Sequence, residues 1–563
     1  MISQEMEKLY PSGKTLVKDC VASRIYAKDD TLYDFSEEAQ QFARDFMGWT
    51  DLATNPPCPL EQIKSFAQEQ IDNGLRTVVL VGQGGSTQAS MTITKYNKID
   101  CGKIMFRTMD SDSPVRIRGL FSEIDPAHTV FIHSSKSGGT IEPRLIMSAI
   151  RDKLATLMPA EEIPQHLIAI TDPGSALAKQ AQDEGWLGLF YGEPTVGGRY
   201  SALSVFGLLP AALVGIDIDR VIEHAIEAEK ACSEDSIDNP AIALAAFLYD
   251  GYVNGRDKVC FLTQKRGRVL GLWIEQLVAE SLGKEGKGIL PNIEVDSLNL
   301  AKDPGDRSVI MYQTKTDLWD ELKNFEMSLS YVDPTIPRMN FKIDSVEELA
   351  EHFVMWEYAT AMCGYLMKRC PFDQPDVAST KAAALKFLAE GCPKPDFTEN
   401  FIGNVNMGEA EVTIAPCIKS DTLMGALRNL FASIKPGDYF ALDAFLPFDG
   451  EGRREALEVI RHGVADKLGV VSCLEIGPRY LHSTGQLQKG GTNNGVFLMV
   501  SADELKDIPL RHVEPESLGM LARTQAAADL SILIERGRRC MHLHLPDNSG
   551  VTIRALGDAV MKV

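Results

Sequence analysis

Two side chains stand where an ordinary surface residue has no reason to be. Glu280 lies in RVLGLWIEQLVAESLG, three residues after Leu277 and seven after Trp273, so helical spacing gives it a face shared with apolar side chains. It also falls in the last turn before Gly283, where the helix dipole disfavours a carboxylate. The choice is between an ion-paired structural carboxylate and a base kept for proton transfer. Lys381 repeats the pattern. A helix is expected from Pro375, capped by Asp373 or its neighbour, which puts Lys381 four residues after Val377 and four before Leu385. A lysine on that stripe either snorkels or is placed at a site.

Two glycine- and hydroxyl-rich loops follow apolar runs of strand type. In VVLVGQGGSTQAS, Gly82, Gly84, Gly85 and Ser86 let backbone N–H groups approach a ligand, and the helix that follows favours an anion. Thr87 stands where a dinucleotide fingerprint needs Gly or Ala, and no Gly-Lys-Ser/Thr follows, so neither nucleotide motif fits. A plain tight turn is the competing reading. The second loop, VFIHSSKSGGTIEP, carries Ser134, Ser135, Lys136, Ser137, Gly138, Gly139 and Thr140 ahead of a proline-started helix. Hydroxyls, one ammonium and flexible backbone suit a phosphate monoester, against a serine-rich N-cap turn as the alternative. Ligands in open α/β sheets collect at the carboxyl ends of strands, which is where both loops fall.

The elements that must position these groups are those of an α/β protein. TVVLVG, TVFIHSS and HLIAITD are continuous apolar runs with helix-length segments between them, as buried parallel strands read. KVCFLTQ, VIMYQT and MNFKI repeat the theme, as do YFALDAFL, VVSCLEIG, GVFLMV and CMHLHL. The expected organisation is a helical segment over residues 1–70, doubly wound three-layer αβα units over 71–235 and 236–395, and a third C-terminal α/β region over 396–563. A chain of 563 residues is too long for one core in any case.

Composition narrows the function. The formal net charge of −21 argues against nucleic acid, whose phosphates demand a basic face, yet permits a small anion bound by a local cluster of donors. Apolar runs are far shorter than the ~20 residues of a membrane span. The opening MISQEMEKLYPSGK has no apolar signal segment, so a cytoplasmic location is expected. Eleven cysteines without C-x-x-C pairs read as reduced thiols. No metal-ligand spacing appears, and neither metal nor cofactor is expected.

With these loops in view, VGGRYSALSVFGLLPAALVGID (Val196–Asp217) resembles the signature of the glucose-6-phosphate isomerase family. QLVAESLGKEGKG (Gln276–Gly288) and PFDQPDVASTK (Pro371–Lys381) agree, in the family's order, over roughly residues 75–390. The resemblance implies two sugar isomerase domains and an enzyme that opens a sugar phosphate ring and moves a proton between carbons 1 and 2 through a cis-enediol. It implies that Glu280 is the base, that Arg199 stabilises the enediolate oxygen, and that Lys381 serves ring opening with Gln374 on the substrate. Ser135, Lys136, Ser137 and Thr140 would hold phosphate, with Gly85 and Ser86 contacting sugar or phosphate, and Glu142 falls where the family has a glutamate near the site. It further implies a homodimer.

One element of the family pattern is missing from its place. The family sets a ring-opening histidine some tens of residues after the catalytic glutamate, but no histidine occurs between His224 and His352. RYLHSTGQLQKGGTNNG (Arg479–Gly495) carries the H-S-x-G-Q string that surrounds that histidine in bacterial members. A similar segment occurs in the isomerase half of transaldolase–isomerase fusion proteins. His482 is therefore the candidate, brought in by the third region of this chain or a partner's. Only about 70 residues precede the isomerase loops, far short of the ~250 of a (β/α)₈ barrel, so no aldol chemistry is expected. A phosphosugar-binding module without catalysis would have the loops but not Glu280, Arg199 and Lys381; activity on mannose 6-phosphate as well stays open.

Overall fold

The structure, a computed structural model, describes residues 10–96, 104–293, 297–315, 319–402, 405–448, 450–510 and 515–563. Residues 1–9 of the N-terminal segment thus lie outside the described residues. Helices Ser12–Lys18, Val21–Tyr26, Glu37–Phe46 and Leu60–Asp72 open the chain, and their apolar faces (Leu16, Ile25, Ala43, Ile63) join a core shared with the first two sheets.

The first sheet contains β1 (Thr77–Val81), β2 (Met105–Met109), β3 (Thr129–Ser134), β4 (Leu167–Thr171) and β5 (Gly188–Tyr191) in the order β2-β1-β3-β4-β5, all parallel. Every residue of β1 and β3 is buried, because helices cover both faces. The second sheet is β6 (Lys258–Thr263), β7 (Leu290–Asn292), β8 (Arg307–Thr314) and β9 (Arg338–Ile343), ordered β7-β6-β8-β9 and again parallel.

The third sheet joins β10 (Phe397–Ile402), β11 (Val405–Ile414), β12 (Tyr439–Phe445), β13 (Val471–Ile476), β14 (Gly495–Ala502) and β15 (Arg539–Leu545) in the order β10-β11-β15-β14-β12-β13. β12 to β15 run parallel, while the β10–β11 hairpin adds antiparallel strands at the β15 edge. This hairpin was not expected from the sequence. Its first strand alternates half-buried and exposed side chains at a sheet edge and carries no apolar run.

The second and third sheets are joined edge to edge. Asn292 at the end of β7 donates to the carbonyl of Ser472 in β13, and one apolar core (Cys260, Val309, Leu442, Leu498) runs beneath both. The third unit is thereby held against the carboxyl-end loops of the other two. The helix Arg268–Leu282, which follows β6, packs on helices Gln88–Tyr96 and Leu349–Met367 and on the short helix Thr484–Gly490 of the third unit. Among the described residues no helix is long and apolar enough to cross a membrane, and the ten described cysteines are free.

Candidate active site

Arg199 organises one half of the site. It sits in a single 3₁₀ turn, Gly198–Tyr200, and is 4 % exposed. Its Nε donates to Ser281 Oγ at 2.7 Å and its Nη1 to Gln374 Oε1 at 2.8 Å. Nη2 donates to the carbonyls of Pro371 and Asp373. Nη1 also lies 3.7 Å from Glu280 Oε1. One planar, permanently charged fork thus ties the end of the glutamate helix to the loop that launches helix Pro375–Glu390. A second buried cation, Lys284, donates to the carbonyls of Cys370 and Asp373 and to the Asp373 carboxylate. Burial pulls the Lys284 ammonium below its ordinary range, with Asp373 opposing and Arg199 adding to the fall. Of Asp373 and its neighbour, the two expected caps, the neighbour Gln374 takes the N-cap position of the following helix and makes no side-chain capping bond.

Glu280 occupies the last turn of Arg268–Leu282, buried as its apolar neighbours require. Gln276, one turn earlier, donates to Glu280 Oε2 at 3.2 Å. The carboxylate is thus bracketed by a neutral donor and a guanidinium.

The first glycine loop lies directly on these groups. A Cβ at Gly85 would fall 2.1 Å from the Gly198 carbonyl oxygen, so only glycine lets this turn close on the Arg199 turn. Gly84, with φ of +53°, would place a Cβ 2.9 Å from Gln276 Nε2 and 3.0 Å from His482 Cβ. Ser134 Oγ donates to the Ser86 carbonyl at 2.8 Å and links this loop to the second one.

His482 reaches the site from the third unit of the same chain. It ends the 3₁₀ turn Arg479–His482 after β13, and its Nε2 is 3.1 Å from Oε1 of Glu142. Glu142 is the second residue of helix Ile141–Leu154, where the helix dipole favours a carboxylate. Burial works against the charge, but the His482 ring, the backbone and Gln525 bring the Glu142 carboxyl down to about 2. Asp112, on the loop after β2, moves the other way: burial, then the charge of Glu142, push it well up. Gly139, Thr140, Glu142, Lys381, His482 and Gln525 line one cavity of about 140 Å³ with a mostly aliphatic remainder.

The sequence-derived candidates are placed unevenly. Thr140, Lys381 and His482 share that cavity, while Arg199 contacts both Glu280 and Gln374, which are not among the cavity's lining residues. Lys381 is exposed on the cavity side of its helix and forms no ion pair among the described residues. Ser135 Oγ lies 3.4 Å from Thr140 Oγ1, and Ser137 Oγ accepts from the Gly139 N–H at 3.2 Å, inside the second loop. Lys136 departs from its expected placement. Its ammonium meets Asp172 and the carbonyls of Glu193 and Pro194, away from the loop hydroxyls, because Asp172 at the end of β4 offers a carboxylate first. The helix after this loop starts at Ile141, with Pro143 as its third residue.

Sequence reasoning missed several supports. Gln486 Oε1 accepts from the Asp376 N–H at 3.0 Å, while its Nε2 donates to the Gly283 carbonyl at 3.0 Å and to Asp376 Oδ2 at 2.7 Å. It stands four residues after His482, in the same H-S-x-G-Q string, which was the available signal. Ser281, Lys284 and Gln525 had none beyond their proximity to a motif or, for Gln525, nothing at all.

The phosphoglucose isomerase family model matches residues 60–296. A glucose-6-phosphate isomerase of Enterococcus faecalis is 27% identical over 447 residues, spanning 71% of this chain and 97% of the relative. That of Mycoplasmopsis pulmonis is 28% identical over 391 residues, spanning 61% and 90%. The solved structure of a glucose-6-phosphate isomerase from Chlamydia trachomatis superposes with a TM-score of 0.51 at 18% identity, over 66% of this chain and 78% of that one, a likeness of fold. The chain is thus similar to glucose-6-phosphate isomerases along almost their whole length, and its residues 60–296 match the phosphoglucose isomerase family model.

Proposed function

We propose that this chain interconverts glucose 6-phosphate and fructose 6-phosphate by ring opening followed by proton transfer through a cis-enediol(ate), as a step of glycolysis and gluconeogenesis. The observation that carries the reading is the convergence of His482, Glu142 and Lys381 on one cavity, together with the buried Arg199–Glu280 pair. Each group has a chemical task. The second glycine loop, with Thr140, receives the phosphate. His482, its ring oriented by Glu142, delivers a proton to the ring oxygen, and Lys381 completes the pair at the anomeric hydroxyl. Glu280 then takes the proton from carbon 2 and returns it to carbon 1, while Arg199 balances the negative oxygen between them. All the acid–base work is assigned to side chains of this chain.

The location follows as cytoplasmic and the assembly as a homodimer, both by the family likeness, with no role for nucleic acid or membrane. A coupled assay on fructose 6-phosphate with the wild type and Glu280→Gln tests the reading. Loss of a general base costs about 10²–10⁴-fold in rate; an inactive wild type, or a variant of undiminished rate, would refute it.

A further inference from the structure

Glu142 Oε1 accepts a second hydrogen bond besides that of His482, from Gln525 Nε2 at 2.7 Å. An ionised carboxylate only accepts, so the amide is oriented by chemistry: its NH₂ faces Glu142 and its Oε1 faces away. That Oε1 is buried, has no hydrogen-bond partner among the described residues, and belongs to a side chain that is 4 % exposed and lines the cavity. Thr380 Oγ1, on the helix that carries Lys381, is in the same condition: buried, without a partner among the described residues, and on the cavity wall. Around them the wall is aliphatic, with Ile141, Leu481 and Leu521 offering no donor. Buried polar atoms are almost always satisfied, and both of these side chains line the cavity that holds His482 and Lys381.

Gln525 is also held rigidly relative to His482. It lies on helix Leu518–Glu535, and Asp529, one turn on, accepts from Tyr480 at 2.8 Å and from Lys489 at 2.6 Å, both in the His482 segment. These partners are all buried, so helix and histidine turn form one unit.

We propose that Gln525 is a substrate-binding residue, its Nε2 holding Glu142 against His482 while its Oε1 accepts a hydroxyl of the sugar chain and Thr380 Oγ1 serves a neighbouring one. The sugar as ligand rests on the isomerase reading; the polar geometry does not. The third unit then supplies recognition of the carbon chain as well as a histidine, and the hydroxyl contact and the acid–base pair share one carboxylate.

The test is calorimetric binding of fructose 6-phosphate and of inorganic phosphate to the full chain, as wild type, Gln525→Leu and Thr380→Val, with kcat and KM alongside. Gln525→Leu is expected to weaken fructose 6-phosphate about tenfold, the worth of one hydrogen bond to a buried group, and to lower kcat, while inorganic phosphate stays within about twofold. Thr380→Val is expected to weaken the sugar phosphate alone, by a smaller factor. If Gln525→Leu does not fold, Gln525→Met, of the same length and with neither amide atom, carries the test. Unchanged affinities, or an equal loss for sugar phosphate and inorganic phosphate, would overturn the inference while leaving an active wild type as an isomerase. A wild type that neither binds nor turns over fructose 6-phosphate would overturn the isomerase reading, and the hydroxyl ligand with it.

Discussion

His482 Nε2 and Glu142 Oε1 lie 3.1 Å apart although 340 residues separate them along the chain. The bond joins the third unit to the helix that follows the second glycine loop of the first, and it pairs an imidazole with a carboxylate whose charge burial opposes.

Removing that carboxylate should therefore change both rate and acid stability. With Glu142→Gln, turnover of ring-closed glucose 6-phosphate should fall about 10²-fold, as for loss of an acid–base group. A substrate analogue unable to close a ring should be affected far less. The folded-state pKa of Glu142 is lowered from 4.5 to about 2. Its stabilisation is then complete above the unfolded value and is lost as pH falls through the folded one. The stability gap between wild type and Glu142→Gln, measured by urea unfolding, should narrow by about 3 kcal/mol on going from pH 6 to pH 2. A gap independent of pH would contradict the pairing.

Arg199→Lys keeps the charge and loses the fork. A single ammonium cannot reach Ser281 Oγ, Gln374 Oε1 and the carbonyls of Pro371 and Asp373 together. The expected loss is about 10²–10³-fold in kcat/KM, the usual result of removing an oxyanion donor. Steady-state kinetics on fructose 6-phosphate measures it, and a change below fivefold would show that charge alone suffices.

Gln486 spans the end of the Glu280 helix and the start of the Lys381 helix, through Gly283 and Asp376. Gln486→Leu leaves the Gly283 carbonyl and the Asp376 N–H without these bonds in a buried place. A loss of about 2–4 kcal/mol in unfolding free energy is expected, with kcat reduced more than KM is raised. Gln486→Glu should be no better, since a carboxylate would face that of Asp376.

Much of this architecture was legible in the sequence, and the reasons for the exceptions are physical. TVVLV and TVFIHS announce β1 and β3 because both faces of those strands are covered, so nothing but apolar side chains is tolerated there. Glu280 announced itself in the same way, as a charge on an apolar face. FTENFI did not announce β10, since an edge strand with alternate residues in water carries no apolar run. Lys136 was assigned to the phosphate loop by its neighbours, but a flexible side chain goes to the strongest acceptor within reach, here Asp172, which sequence proximity does not reveal. Gln525 is a buried amide 383 residues from its partner Glu142, and no local pattern distinguishes it from a helix-surface glutamine.

The central claim is that a single carboxylate, that of Glu280, carries a proton between adjacent carbons through an enediol. Isomerisation of fructose 6-phosphate in D₂O, followed by NMR, tests it most directly. The account predicts deuterium at carbon 2 of glucose 6-phosphate formed by the wild type, and about 10²-fold or greater loss of both turnover and deuterium incorporation in Glu280→Gln. Turnover or incorporation at the wild-type rate in Glu280→Gln would contradict it.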